Sequence, residues 1–169
     1  MQQIMLMCRP GFENEAGQEL TDTAAAAGVF GYFQPERDQG RAWFTLAGNA
    51  SAEDLMARVP LSTLVFVRDW FMVTGICELP AQDRVGAMLE FLRSEAWPGN
   101  LCARVEVRLV ETNSDHDLGN FARKWVAPLS RALRGAGLLL TDADAPAVGQ
   151  LEILLTGFDR AVVGVSLAR

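Results

Sequence analysis

The hydrophobic period of this chain changes repeatedly, and each change marks an element. Ile4 to Cys8 is a short apolar run that predicts a strand. After Pro10 and Gly11, the early acids and the alanines of Glu13 to Ala27 predict a helix that Gly28 ends. Val29 to Phe33 and Arg41 to Leu46 predict two strands joined by the polar turn Pro35 to Gly40. Ser51, ahead of Glu53 and Asp54, starts a second short helix that Pro60 interrupts. Thr63 to Cys77, with Val65, Val67, Val73 and Ile76, is rich in β-branched and aromatic residues and predicts one long buried strand. The order βαββαβ is that of a ferredoxin-like unit in an α+β fold.

A second set of elements follows Pro80. Gln82 to Ser94 predicts a helix and Pro98 to Asn100 a loop, and the alternation from Arg104 to Leu109 turns Val105, Val107 and Leu109 inward. Leu118, Phe121, Ala122, Trp125, Leu129, Ala132 and Leu133 recur at helical steps and form one apolar stripe. Ser114 caps that helix, Asp117 sits on the favourable end of its dipole, and Gly135 and Gly137 stop it. Pro128 lies inside, lacks a donor and crowds the preceding turn, which predicts a kink or two shorter helices. Leu138 to Leu140, Leu151 to Thr156 and Ala161 to Leu167 predict three further strands, the last two joined at Gly157, Phe158 and Asp159. The expected domains are therefore 1–79 and 80–169.

Composition narrows the class. The chain has 169 residues, half of them hydrophobic, enough for one large domain or two small ones. No apolar run approaches the roughly 20 residues that span a bilayer, and no signal pattern precedes Arg9 and Glu13, so the expected setting is cytoplasmic with no membrane partner. Cys8, Cys77 and Cys102 are far apart in apolar segments and read as reduced core residues, with neither a disulfide framework nor a metal site.

Charge points further. The net charge is −6, but residues 1–117 carry 9 basic and 17 acidic side chains whereas 118–169 carry 6 and 4. Arg123, Lys124, Arg131 and Arg134 share the predicted helix, with no acid between Leu118 and Thr141. A solvated helix normally mixes its charges, so this run predicts an anionic partner, a nucleic-acid backbone, against the plainer reading of a wet face. Arg9 either reaches the same partner or braces the first strand through an ion pair. Asn113 and Thr112 either meet a nucleotide or satisfy loop backbone. His116, the single histidine, belongs to an exposed first turn. Of Trp43, Trp70, Trp97 and Trp125, the last falls on the apolar stripe, and Trp97, beside Pro98 and Gly99, is the candidate for stacking on a base. No acid, base and nucleophile come together as a catalytic set. Gly135-Ala136-Gly137 runs from helix into strand, which suits a C-cap and not a nucleotide-binding turn.

Cys8-Arg9-Pro10-Gly11-Phe12-Glu13, Leu61-Ser62-Thr63-Leu64-Val65-Phe66, Arg104-Val105-Glu106-Val107, Thr112-Asn113 and Phe121-Ala122-Arg123-Lys124 together resemble one family. It is the bacterial large-subunit rRNA methyltransferases that methylate the ribose 2′-oxygen of a cytidine, the RlmM family. The resemblance runs over nearly the whole chain and covers the family's N-terminal half. It implies a ferredoxin-like subdomain followed by a THUMP-type RNA-binding domain, with 23S rRNA as partner. The family's Rossmann-type domain, which takes S-adenosylmethionine and carries a Lys-Asp-Lys-Glu set, is not matched. The single lysine, Lys124, makes that set impossible here. No cofactor is therefore expected in this chain, and the resemblance assigns S-adenosylmethionine to a C-terminal methyltransferase domain of a longer parent. The chain ends at Ala168-Arg169 directly after a predicted strand, as one cut at a domain boundary would. A rival reading is a protein-interaction module that pairs through ferredoxin-like sheet edges without binding RNA. Charge reversal at Arg131 and Arg134 separates the two.

Overall fold

Alternation along the first strands builds a buried face that helices cover. The computed structural model describes residues 1–95, 102–109, 116–139 and 149–167, which form two compact units divided between Val73 and Thr74. The first contains β1 (Gln3–Met7), α1 (Glu13–Ala26), β2 (Gly31–Glu36), β3 (Arg41–Leu46), α2 (Ala52–Arg58) and the opening half of β4 (Asp69–Glu78). Its strands lie in the order β2-β3-β1-β4, with each neighbouring pair antiparallel, which is the split βαβ arrangement of a ferredoxin-like fold. Ile4 and Leu6 of β1, Phe44 and Leu46 of β3, Leu20 of α1 and Leu55 of α2 are fully buried together.

The second unit takes the closing half of β4, then α3 (Arg84–Ser94), β5 (Cys102–Leu109), α4 (His116–Gly135), β6 (Gly149–Leu155) and β7 (Arg160–Leu167). Its strand order is β4-β7-β6-β5, with β5 parallel and β7 antiparallel to β6. Met88 and Leu92 of α3, Leu129 and Leu133 of α4, and Leu151, Ile153 and Leu155 of β6 make its core, and Val105, Val107 and Leu109 pack against it as their alternation predicts. On the other face of the strands the buried carboxylate of Glu152 accepts from Arg108 Nε at 2.8 Å, Ser166 Oγ at 2.7 Å and Gln150 Nε2 at 2.9 Å.

Four expectations are corrected. The strand expected from Val29 begins at Gly31, because Val29 belongs to the end of α1: Gly28 has φ +82, its amide donates to Ala25 O, and the Val29 amide donates to Ala24 O at 2.8 Å. The strand expected at Leu138 is absent among the described residues for the same reason. Gly137 has φ +73, its amide donates to Arg134 O, and the Leu138 amide donates to Leu133 O at 2.8 Å. In both places the apolar residue after the glycine seals a helix end. Pro35 and Glu36, expected in a turn, extend β2, which as an edge strand tolerates a missing donor.

The long strand expected over Thr63–Cys77 is broken. Leu61–Thr63 is a 3-10 turn and β4 starts only at Asp69, while Val65 is 79% exposed. The carboxylate of Glu19 on α1 accepts from the amides of Val65, Phe66 and Val67 at 2.7, 2.9 and 3.2 Å. Those amides find a side chain where a strand would have offered a ladder, and extended pairing loses its advantage.

All three cysteines are free and buried, and burial pushes each thiol up to about 11. At pH 8 only about one thiol in a thousand is then ionised at each site. A thiol-reactive disulfide reagent is expected to label the folded chain slowly and to titrate three thiols after denaturation; rapid native labelling would contradict this burial.

Candidate nucleic-acid interface

Helix α4 is a single continuous element from His116 to Gly135 with Pro128 inside it, not two shorter helices. Continuity decides how its charges are grouped. At about 100° per residue, Arg123, Arg134, Arg131 and Lys124 fall within an arc of roughly 100°. All four are exposed. Leu118, Ala122, Trp125, Leu129 and Leu133 are buried and occupy an arc of about 80° centred on the opposite side. The core thus orients the helix, and orienting the helix gathers the cations. Between Arg123 and Arg134 they extend about 16 Å along the axis.

Three of the four cations have no acidic partner among the described residues. Lys124 and Arg131 have no hydrogen-bond or salt-bridge partner among the described residues, and Arg123 Nη2 donates to Asn120 Oδ1, a neutral group one turn back. Asn120 and Ala127 are exposed on the same arc, and the single acid of the helix, Asp117, is exposed in its first turn. The arginines in the neighbourhood of the core are used otherwise. Arg84 lies 4.8 Å from the centroid of the Phe121 ring and donates from Nε to Phe158 O at 2.9 Å, which holds it against the helix flank.

The other candidates separate. Arg9, in the first unit, is exposed and has no ion pair among the described residues, so the internal brace considered for it is not formed there. Asn113, Thr112, Ser114 and Trp97 lie outside the described residues, as does the side chain of His116. Trp125 is 5% exposed with its ring stacked on Phe121 at 5.3 Å, and Trp70 is 4% exposed. Neither offers a face to a base. Trp43 is half-buried and donates from Nε1 to Glu36 Oε1 at 3.1 Å.

The block Cys8 to Glu13 is organised around a carboxylate. Glu13, 3% exposed, accepts from the amides of Gly11 at 2.8 Å, Asp38 at 2.9 Å and Gly40 at 3.0 Å. Burial alone would raise its pKa, but backbone amides, those of Asp38, Gly11 and Gly40 foremost, outweigh it and hold the carboxyl below its usual value. Gly11 has φ +97, a conformation that a side chain would strain, and Asp38 adopts φ +60 while donating to the same carboxylate. No group of three or more His, Cys, Asp and Glu side chains suited to a metal occurs among the described residues. None of the described helices is long and apolar enough to cross a membrane.

Two family models match this arrangement, the RlmM ferredoxin-like domain over residues 1–71 and the N-terminal model of ribosomal RNA large subunit methyltransferase M over residues 83–167. The chain belongs to the RlmM family. It is 65% identical over 168 residues to the ribosomal RNA large subunit methyltransferase M of Marinobacter nauticus, covering 99% of this chain and 47% of that protein. The protein of the same name from Colwellia psychrerythraea is 36% identical, over 100% of this chain and 46% of its own length. The chain therefore spans about half the length of these curated relatives. Among solved structures, TrmN from Thermus thermophilus shares the fold, with a TM-score of 0.59 and 18% identity over 100% of this chain and 46% of that one. PH1313 from Pyrococcus horikoshii gives a TM-score of 0.53 at 11% identity, over 98% of this chain and 54% of that one. The ferredoxin-like α+β architecture is thus as the chain's patterning predicts.

Proposed function

We propose that this chain is the rRNA-docking half of a 23S rRNA (cytidine-2′-O) ribose methyltransferase. In this reading 1–79 is a ferredoxin-like subdomain and 80–169 a THUMP-type RNA-binding domain. They hold rRNA for a C-terminal domain that binds S-adenosylmethionine and does the chemistry. The observation that carries the reading is the cationic arc of α4, four positive side chains on one exposed face of an acidic chain. Arg123, Lys124, Arg131 and Arg134 take backbone phosphates, with Arg9 and Asn113 as further contacts. Phosphate contacts fix register and orientation and carry no sequence information, so the work of this half is positioning.

Reversing Lys124 and Arg131 tests it, because both are exposed and the change breaks no hydrogen bond or ion pair among the described residues. Four phosphate contacts to a single strand give a slope of log affinity on log salt of roughly −2.8. The K124E/R131E chain is expected to bind an rRNA fragment about tenfold or more weakly at low salt, with roughly half that slope. Filter retention across a salt series measures both. Unchanged binding with unchanged slope removes the arc from the interface.

A further inference from the structure

The first unit carries a second surface whose chemistry differs from that of α4. Phe12 is 39% exposed, and its ring lies against Phe66 with centroids 6.0 Å apart and planes 21° from parallel. Phe66 is half-buried in the apolar cluster of the unit, so it forms a fixed floor under a ring that is open on its other side. The position of both rings is set by the backbone. The Phe12 amide donates to Arg9 O at 3.0 Å in the turn that Glu13 clamps, and the Phe66 amide is one of three held by Glu19.

Two arginines adjoin these phenylalanines along the backbone. Arg9 is in the same turn as Phe12. Arg68 is two residues beyond Phe66, and its amide donates to Met7 O at 2.8 Å, which continues the Met7↔Asp69 register and sets Arg68 opposite Cys8. Both arginines are exposed and neither has an ion pair among the described residues. Of the acids close by, Glu13 and Glu19 are each occupied by three backbone amides, and Glu15 is exposed on the first turn of α1. A partly exposed aromatic pair with unpaired arginines in the adjoining backbone is the combination that grips single-stranded nucleic acid, with the ring taking a base and the cations taking the adjoining phosphates.

We propose that Phe12, backed by Phe66 and flanked by Arg9 and Arg68, is a stacking site for an unpaired base of single-stranded RNA. It rests on the rRNA-docking reading but assigns a different contact, to a base instead of to phosphate, in a different unit. Stacking on an aromatic ring tolerates any base, so the site selects unpaired RNA over duplex without selecting sequence.

The test uses this chain and two fluorescent RNAs, an unstructured 12-mer and a perfect hairpin, in anisotropy titrations at low salt. The F12A chain is expected to lose roughly 5- to 150-fold in affinity for the 12-mer and little for the hairpin. F12L keeps apolar cover over Phe66 but no flat face and should behave as F12A, whereas F12Y should restore binding. A folded F12L that binds the 12-mer like the parent overturns the site, even when K124E/R131E is defective and the α4 reading stands. A parent chain that retains neither RNA overturns both. Unchanged RNA binding by F12L together with loss of a concentration-dependent dimer would identify the patch as a contact with a second copy, and would also overturn it.

Discussion

Replacing Glu13 by glutamine is expected to destabilise the chain by about 3 kcal/mol at pH 7, from the charge-assisted bonds it removes inside the fold. Oε2 accepts from Gly11 and Gly40 and Oε1 from Asp38, so both oxygens are needed as acceptors. Glutamine keeps the shape but has one acceptor, and its amino group is forced against an amide donor whichever way it turns. The sign with pH follows from the lowered pKa. A carboxyl held below its usual value of 4.5 contributes stability that is fully present above that pH and is lost as pH falls through the folded pKa. The gap between parent and E13Q in urea unfolding should be widest near neutrality and narrow below pH 4.5. A gap that stays constant down to pH 3 would show that Glu13 acts through packing and not as an anion.

Leu129→Ala carries the other large effect. Leu129 is fully buried at the middle of the α4 stripe, within the cluster formed with α3 and β6, and truncating it leaves a cavity costing about 2–5 kcal/mol. The change touches none of the four cations. The variant is expected to unfold at lower urea while binding the rRNA fragment like the parent wherever it remains folded, and K124E/R131E to show the converse. A folded L129A chain with weakened RNA binding at 10 °C would mean that the arc depends on exact seating of the helix, beyond its orientation.

The residues that failed to reveal their structure share a cause. Val29 and Leu138 are both apolar, follow a glycine and precede further apolar residues, which in one dimension is how a strand begins. In three dimensions each closes a helix end through an amide bond to the carbonyl five residues back. Thr63–Cys77 has β-branched composition throughout, yet Glu19, more than forty positions earlier, captures three of its amides. Local pattern carries no information about a partner that distant. By contrast β3 spans Arg41–Leu46 as predicted, and α1 starts at Glu13, because a strand-like run after a polar turn and early acids are local signals. Phe12 stood in view inside the block from Cys8 to Glu13, but the exposure of one ring and the support beneath it are properties of packing.

The sequence alone determined that this is an α+β chain with a ferredoxin-like first half, an amphipathic basic helix in its second, and buried thiols, since each follows from local period, composition or capping. Its motifs also placed it in its family. Only the tertiary structure decided that α4 passes through Pro128 without division, which brings Arg123 and Lys124 onto one arc with Arg131 and Arg134. The core fixes the rotation of a helix and thereby the direction of every charge upon it. It likewise decided that Glu13 and Glu19 are clamps for backbone amides and that Phe12 stands over Phe66 at the surface, because those contacts join residues that the chain keeps far apart until it folds.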